Sequence, residues 1–218
     1  MIIQDPRGLE ADGRVHHSSD GALTSLRCLD RSDGLGLTVT LTRTHRDLEQ
    51  DLTFTGHRET SLLVEGTGRV ETCQNGKVFD LSPGTLWSVG PQQPHRLAIT
   101  AGARVLNVFN PAHKSCDADA GTPAFLVRDV SAKDGGSETG PIKHPDGLGF
   151  TLDWLCCEAG EDVVLAADHG WVGCLVASGA VDATGQAIGN DTALVIEPGE
   201  HTVLRAATRV DLIQFGPG

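Results

Sequence analysis

The stretch GHRETSLLVEGTGRVE, residues 56–71, decides how the chain is read. Its second half is an apolar run at residues 62–64, closed by Glu65-Gly66 and followed by Gly68 and a short alternating segment. That pattern is a strand, a turn and a second strand. Its first half carries chemistry: His57 and Glu59 stand two residues apart. On one strand they would share a face. An imidazole and a carboxylate on the inner wall of a barrel are the beginning of a metal or proton-transfer site.

The sequence around this stretch repeats. DGLGLTVTLTR from Asp33 returns as DGLGFTLDWLC from Asp146, an offset of 113 residues that also lays VEGTG (64–68) over ASGAV (177–181) and Gly66 over Gly179. Further on, VLNVFNP from Val105 resembles DLIQFGP from Asp211, an offset of 106, so the second copy has a shorter hairpin in between. The starts pair as well, MIIQD from Met1 with FLVRD from Phe125. Matched glycines over such a length indicate a duplicated unit. The expected domains are 1–120 and 121–218, with residues 112–140, rich in Gly, Ser, Asp and Lys, as the connecting region.

Each copy reads as short strands separated by turns. LTVTLT (37–42) alternates, and GRVET, QNGK and VFDLSPG form a hairpin about Asn75-Gly76. No segment keeps a helical period beyond about two turns, so the class is all-β, a sandwich or small barrel. Composition agrees. Of 218 residues 39% are hydrophobic, enough for a sizeable core, while 27 Gly and 10 Pro demand frequent turns. The net charge of −12 argues against nucleic acid and anionic membranes as partners, since both call for basic patches. The opening MIIQDPRGLE becomes charged at once, and no apolar run approaches the ~20 residues of a membrane span. A soluble cytoplasmic protein is expected. Six Cys without a CxxC read as buried free thiols. On a strand, Cys156 and Cys157 would face opposite ways.

Two features give the fold its name. Glu59 precedes Gly66 by seven residues, and SPGTLWSVGPQQPHRL (82–97) carries Gly84, Pro91 and His95. Together they resemble the two motifs of the cupins, whose double-stranded β-helix, or jelly-roll, barrel holds metal ligands on its inner face. The order of GLGLTVTLTR, ETSLLVEGTGRVET, NGKVFDLSPGTLWSVGPQQPH and RVLNVFNPAH resembles ectoine synthase over about residues 1–119, with TSLRCLD (24–30) and the FNP at 109–111 as further marks. The resemblance implies two tandem cupin barrels. The first would resemble a cytoplasmic, dimeric cyclase that closes an N-acetylated diamino acid into a ring with loss of water.

Carried over residue by residue, the family's metal ligands fall on Glu59 and His95, and the third, a Tyr, falls on Trp87. Arg27, Thr42, His57, Phe109 and Pro111 match pocket residues, while a Tyr falls on Phe54, a Trp on Leu23 and a carboxylate on Gln93. A Glu and a His beyond FNP fall on Asp117 and Asp119. Indole offers no lone pair to a cation. His57 is therefore a candidate third ligand, and a His57/Glu59/His95 set would suit Fe(II) or Zn(II). The other reading makes His57 a hydrogen-bonding pocket residue. Glu59, His57 and Asp117 are the candidate proton carriers; Arg27, Thr42, Phe54, Trp87, Gln93 and Phe109 are the candidate substrate contacts. In the second copy Glu59 becomes Val172, Trp87 falls near Leu194, and His201 matches His95. That barrel would support the first or stand in for the partner of a homodimer. Three activities fit: a cyclodehydratase of the lyase type acting on a small amino-acid-derived substrate, another metal-dependent cupin enzyme (an Fe(II) oxygenase or isomerase), or a non-catalytic small-molecule binder.

Overall fold

The fold is given by a computed structural model, which describes residues 1–110, 125–129 and 150–217. The helical elements among these are α1 (Pro6–Ala11) and one 3₁₀ turn (Arg31–Asp33), so the expected all-β class holds.

The chain opens with β1 (Ile2–Gln4). Then follow β2 (Val15–His17), β3 (Leu23–Leu29), β4 (Thr38–Thr44), β5 (Leu48–Leu52), β6 (Arg58–Glu65) and β7 (Gly68–Thr72). The first copy ends with β8 (Lys77–Leu81), β9 (Thr85–Val89), β10 (His95–Ile99) and β11 (Arg104–Asn110). After β12 (Phe125–Asp129) come β13 (Phe150–Cys157), β14 (Asp162–Ala166), β15 (Val172–Ser178), β16 (Val181–Ala183) and β17 (Gln186–Ile188). The last are β18 (Ala193–Ile196), β19 (His201–Ala206) and β20 (Val210–Pro217).

Two compact units result. One is residues 9–131; the other is residues 1–8 with 132–218. The division differs from a cut at 120/121 because the copies exchange first strands. β1 pairs with β18 of the second unit, and β12 pairs with β9 of the first. The registers Ile3↔Leu194 and Val127↔Trp87 are equivalent, as the likeness of MIIQD to FLVRD leads one to expect.

In the first unit a seven-stranded sheet runs β12-β9-β6-β11-β4-β3-β2, and a four-stranded sheet runs β5-β10-β7-β8. Residues paired across strands present their side chains on the same face. One rung of the large sheet is Thr38–Phe109–Glu59–Val89. The next is Arg27–Thr40–Asn107–Ser61–Trp87, and the next Ser25–Thr42–Val105–Leu63. Strand β4 therefore turns its threonines inward, while its outward Val39 and Leu41 are buried too. An alternating strand with polar residues inside needs a polar interior to receive them, which is the first sign of a cavity. The rest of the interior is apolar: Leu63, Val70, Leu81, Trp87, Val89, Leu97 and Ile99 pack together.

The second unit has sheets β1-β18-β15-β20-β13 and β14-β19-β16-β17. Its hairpin is the shorter one: β16 and β17 have three residues each and a two-residue connection, against five, five and four in β7–β8. That difference is six residues, so the offset falls from 113 before the hairpin to 107 after it, not to 106. An even number matters, because each residue lost from a strand turns later side chains to the other face. Ser61↔Trp87 thus corresponds to Cys174↔Leu194, and His95 corresponds to Thr202. His201, read as the match to His95, is one residue out of register. It is exposed, 3.5 Å from Asp168. With Val172, Cys174, Leu194 and Thr202 in the places of Glu59, Ser61, Trp87 and His95, the second barrel's core is almost wholly apolar.

The thiols also differ from expectation. Cys28, Cys157 and Cys174 are buried, but Cys73 and Cys156 are exposed. Cys73 sits in the turn after β7, and Cys156 is on the outer face of β13, opposite in sense to Cys157.

Candidate active site

Between the two sheets of the first unit lies a cavity of about 600 Å³. Its floor is Ser25, Arg27, Asn107 and the threonines of β4 at positions 38, 40, 42 and 44. Its roof, from the smaller sheet, is Leu48, Gln50, Leu52, Leu97 and Ile99; Val105 lies beside Thr42 in the larger sheet, and Phe54, Glu59 and Phe109 line one end.

Glu59 is 7% exposed, and its Oε2 has no hydrogen-bond partner. Burial pushes its carboxyl up to about 7. His95 is fully buried, and burial lowers its imidazole. Its Nδ1 is 3.3 Å from the carbonyl oxygen of Gln93, which can accept only, so the Nδ1 proton is placed there and Nε2 keeps a lone pair. That Nε2 also lacks a hydrogen-bond partner and lies 4.0 Å from Glu59 Oε2. Two buried donor atoms aimed at one another, one of them oriented from behind by a carbonyl, fit two ligands of a divalent metal. The third position does not follow. Trp87 offers an N–H there, buried and without a partner. Among the described residues no three His, Cys, Asp or Glu side chains converge on one point.

His57 lies in the bend before β6, which starts at Arg58, and not on the strand that carries Glu59. Its ring packs 5.0 Å from Phe54 and edge-on, also 5.0 Å, to Phe109. Phe54 in turn stands 6.2 Å from His95. The four rings form one cluster at the Glu59 end of the cavity. Of the expected substrate contacts, Arg27, Thr42, Phe54 and Phe109 line the cavity. Trp87 does not; it belongs to the apolar core, 1% exposed, because the β9 end of its rung packs with Leu63, Val70, Leu81 and Val89. Gln93 acts through its main-chain carbonyl on His95, since its own side chain is not in the cavity wall. Asp117, with Pro111 and Asp119, lies outside the described residues.

Sequence reasoning missed Ser25, Thr40, Thr44, Ser61 and Asn107. The alternation of TVTLTRT was visible, but which face pointed inward was not. It also missed Arg14, at the cavity mouth and tied to Asp30 at 3.1 Å and to Asp33. His16 and His17 are exposed on β2, and His16 lines the cavity.

Two barrels, one with a half-polar cavity and a buried His–carboxylate pair and one filled with apolar side chains, define a two-domain cupin. Solved structures of this shape agree. YhhW from Escherichia coli superposes with a TM-score of 0.68 at 14% identity, over 100% of this chain and 97% of that one. A Bacillus subtilis oxalate decarboxylase variant gives 0.63 at 13%, over 94% and 75%. A cupin 2 conserved barrel domain protein from Leptotrichia buccalis gives 0.59 at 10%, over 93% and 91%. At these identities the likeness is one of fold. The ectoine synthase family model matches residues 1–122, and the chain belongs to that family. L-ectoine synthase of Hyphomonas neptunium is 32% identical over 114 residues, 51% of this chain and 82% of that protein. The enzyme of Teredinibacter turnerae is 29% identical over 111 residues, 51% and 84%. Both matches span about half of this chain.

Proposed function

We propose that the first barrel is a cyclodehydratase of the lyase type, closing a ring in a small N-acylated amino acid with loss of water. The observation that carries this reading is the buried Glu59–His95 pair, at the end of a cavity whose floor presents hydroxyls and the Arg27 guanidinium. In such a reaction an amine nitrogen attacks an amide carbonyl carbon, a C–N bond forms, and the carbonyl oxygen departs as water after taking up two protons. The amine gives up the protons that balance this loss.

Glu59 and His95 are the residues that would hold an Fe(II) or Zn(II) ion, whose chemistry here is to polarise the carbonyl oxygen. His57, fixed between Phe54 and Phe109, is the group positioned to take the amine's proton. In the metal-free protein Glu59, raised to about 7 by its burial and so about half protonated at pH 7, can give a proton to the departing oxygen. Arg27 takes the carboxylate, and the ring cluster keeps water from the reacting centre. Asp117 is a further proton carrier on this reading.

Incubation with N-acetylated diamino acids, followed by mass spectrometry, tests it. A product lighter by one water, formed without dioxygen and lost in Glu59→Ala, is the expected result. Turnover that requires iron and dioxygen would instead place the protein among the oxygenases. Retention of ligand unchanged would make it a binder. Metal analysis of protein purified without chelator, beside His95→Ala, tests the ligand pair independently.

A further inference from the structure

The cavity floor carries a polar network that the reaction above does not use. Ser61 Oγ donates to Asn107 Oδ1 at 2.9 Å. Asn107 Nδ2 donates to Thr40 Oγ1 at 3.2 Å and to Thr42 Oγ1 at 3.1 Å. Thr42 Oγ1 donates to Ser25 Oγ at 3.1 Å. Every proton in this chain points the same way, from the Glu59 end toward β3. Asn107 spends both halves of its amide inside the network, so it is a support and not itself a ligand.

The consequence lies at the free ends. Among the described residues the hydroxyl protons of Ser25 and Thr40 have no acceptor, and both side chains line the cavity. Arg27, two residues from Ser25 on the same face of β3, lines it too and makes no ion pair among the described residues. Free hydroxyl protons beside a guanidinium favour a group rich in acceptors. A carboxylate offers two oxygens to them; a carboxamide offers one, and its NH2 finds only the remaining hydroxyl lone pairs.

We propose that Asn107 is the positioning residue that sets the specificity of this cavity: by orienting Thr40 and Thr42, and Ser25 through Thr42, it makes the floor a carboxylate-selective subsite. This rests on the proposed function for the role of the bound molecule, but not for its recognition. The polarity is set by one residue because an amide has a donor end and an acceptor end. Replacing it by an acceptor-only group reverses the chain: Thr40 and Thr42 then donate into it, Ser25 donates to Thr42, and the floor presents lone pairs.

Asn107→Asp is the isosteric test, read by calorimetry with N-acetylglycine against N-acetylglycinamide, and by steady-state kinetics with an N-acetylated diamino acid. The wild type is expected to prefer the carboxylate at least about tenfold. In Asn107→Asp that preference is lost, with Kd and KM for carboxylates rising about tenfold or more, the carboxamide changing less than about threefold, and kcat little altered. Ser25→Ala, at a half-buried position, adds no charge and so separates donor loss from repulsion. It should weaken the carboxylate about fivefold and spare the carboxamide. If Asn107→Asp does not fold, as judged by its melting curve, Ser25→Ala decides alone. Equal weakening of both probes, or no preference in the wild type, overturns the proposal. Selective binding of N-acetylglycine without turnover of any diamino acid would sustain this floor while sinking the cyclase reading.

Discussion

Burial gives Glu59 and His95 opposite burdens. The carboxyl is raised to about 7, so between pH 4.5 and 7 the folded state binds a proton that the unfolded chain has lost. Stability therefore falls as pH rises through that window, by about 3 kcal/mol in all for the metal-free protein. Glu59→Gln removes the burden. Metal-free Glu59→Gln should gain on the wild type as pH climbs from 4.5 to 7 and hold that gain above it; urea unfolding at pH 4.5 and pH 8 checks this. A gap independent of pH would mean that Glu59 keeps an ordinary carboxyl. His95 works the other way: its imidazole is lowered, so stability is lost as pH falls below 6.5. The thiols separate by the same physics. Burial pushes Cys174 up to about 12, and Cys157 is raised as well. Under native conditions Cys73 and Cys156 should label rapidly with a thiol reagent, while Cys28, Cys157 and Cys174 resist until unfolding; peptide mass mapping separates the sites.

At the scale of the element, the turn glycines are not alike. Gly66 has φ +94°, and a Cβ there would stand 2.6 Å from Ala103 Cβ. Its counterpart Gly179 has φ +76° with the Arg209 carbonyl oxygen at 2.2 Å from the same position. Gly76, in the β7–β8 turn, has φ +64° but open space around it. Gly66→Ala and Gly179→Ala should each cost about 3 kcal/mol or more, since backbone strain and overlap add. Gly76→Ala should cost only about 1 kcal/mol. Chemical denaturation ranks the three, and equal losses would refute the distinction. The matched glycines of the repeat are thus explained by close approach of the segment leading into β11 in one copy and into β20 in the other, not by turn chemistry alone.

At the scale of the molecule, the exchange of first strands ties the opening strand of each copy to the unit built mainly from the other copy. β1 covers β18 through Ile2↔Val195, Ile3↔Leu194 and Gln4↔Ala193. Removing residues 1–4 should leave β18 an open edge, and hydrogen exchange at residues 193–196 should quicken. Exchange at 85–89 should stay slow, because β12 covers that edge instead. Faster exchange at 85–89 than at 193–196 would mean that the strands are not exchanged.

The sequence by itself determined the all-β class, the duplication, the Glu59 and His95 positions, the pairing of the two starts and the shorter second hairpin. These are local signals: turn residues, period-two alternation and repeated strings. The tertiary structure alone decided what depends on register and on which face turns inward. A likeness of FNP to FGP suggested an offset of 106, and only the hydrogen-bonded ladder gives 107, which moves the counterpart of His95 from exposed His201 to buried Thr202. His57 sits in the bend that precedes β6, which starts one residue later at Arg58. Trp87 proved to be core and Asn107 the centre of the floor, since alternation names two faces but not which one is enclosed. That choice is made by packing the second sheet over the first, and a string of residues does not contain it.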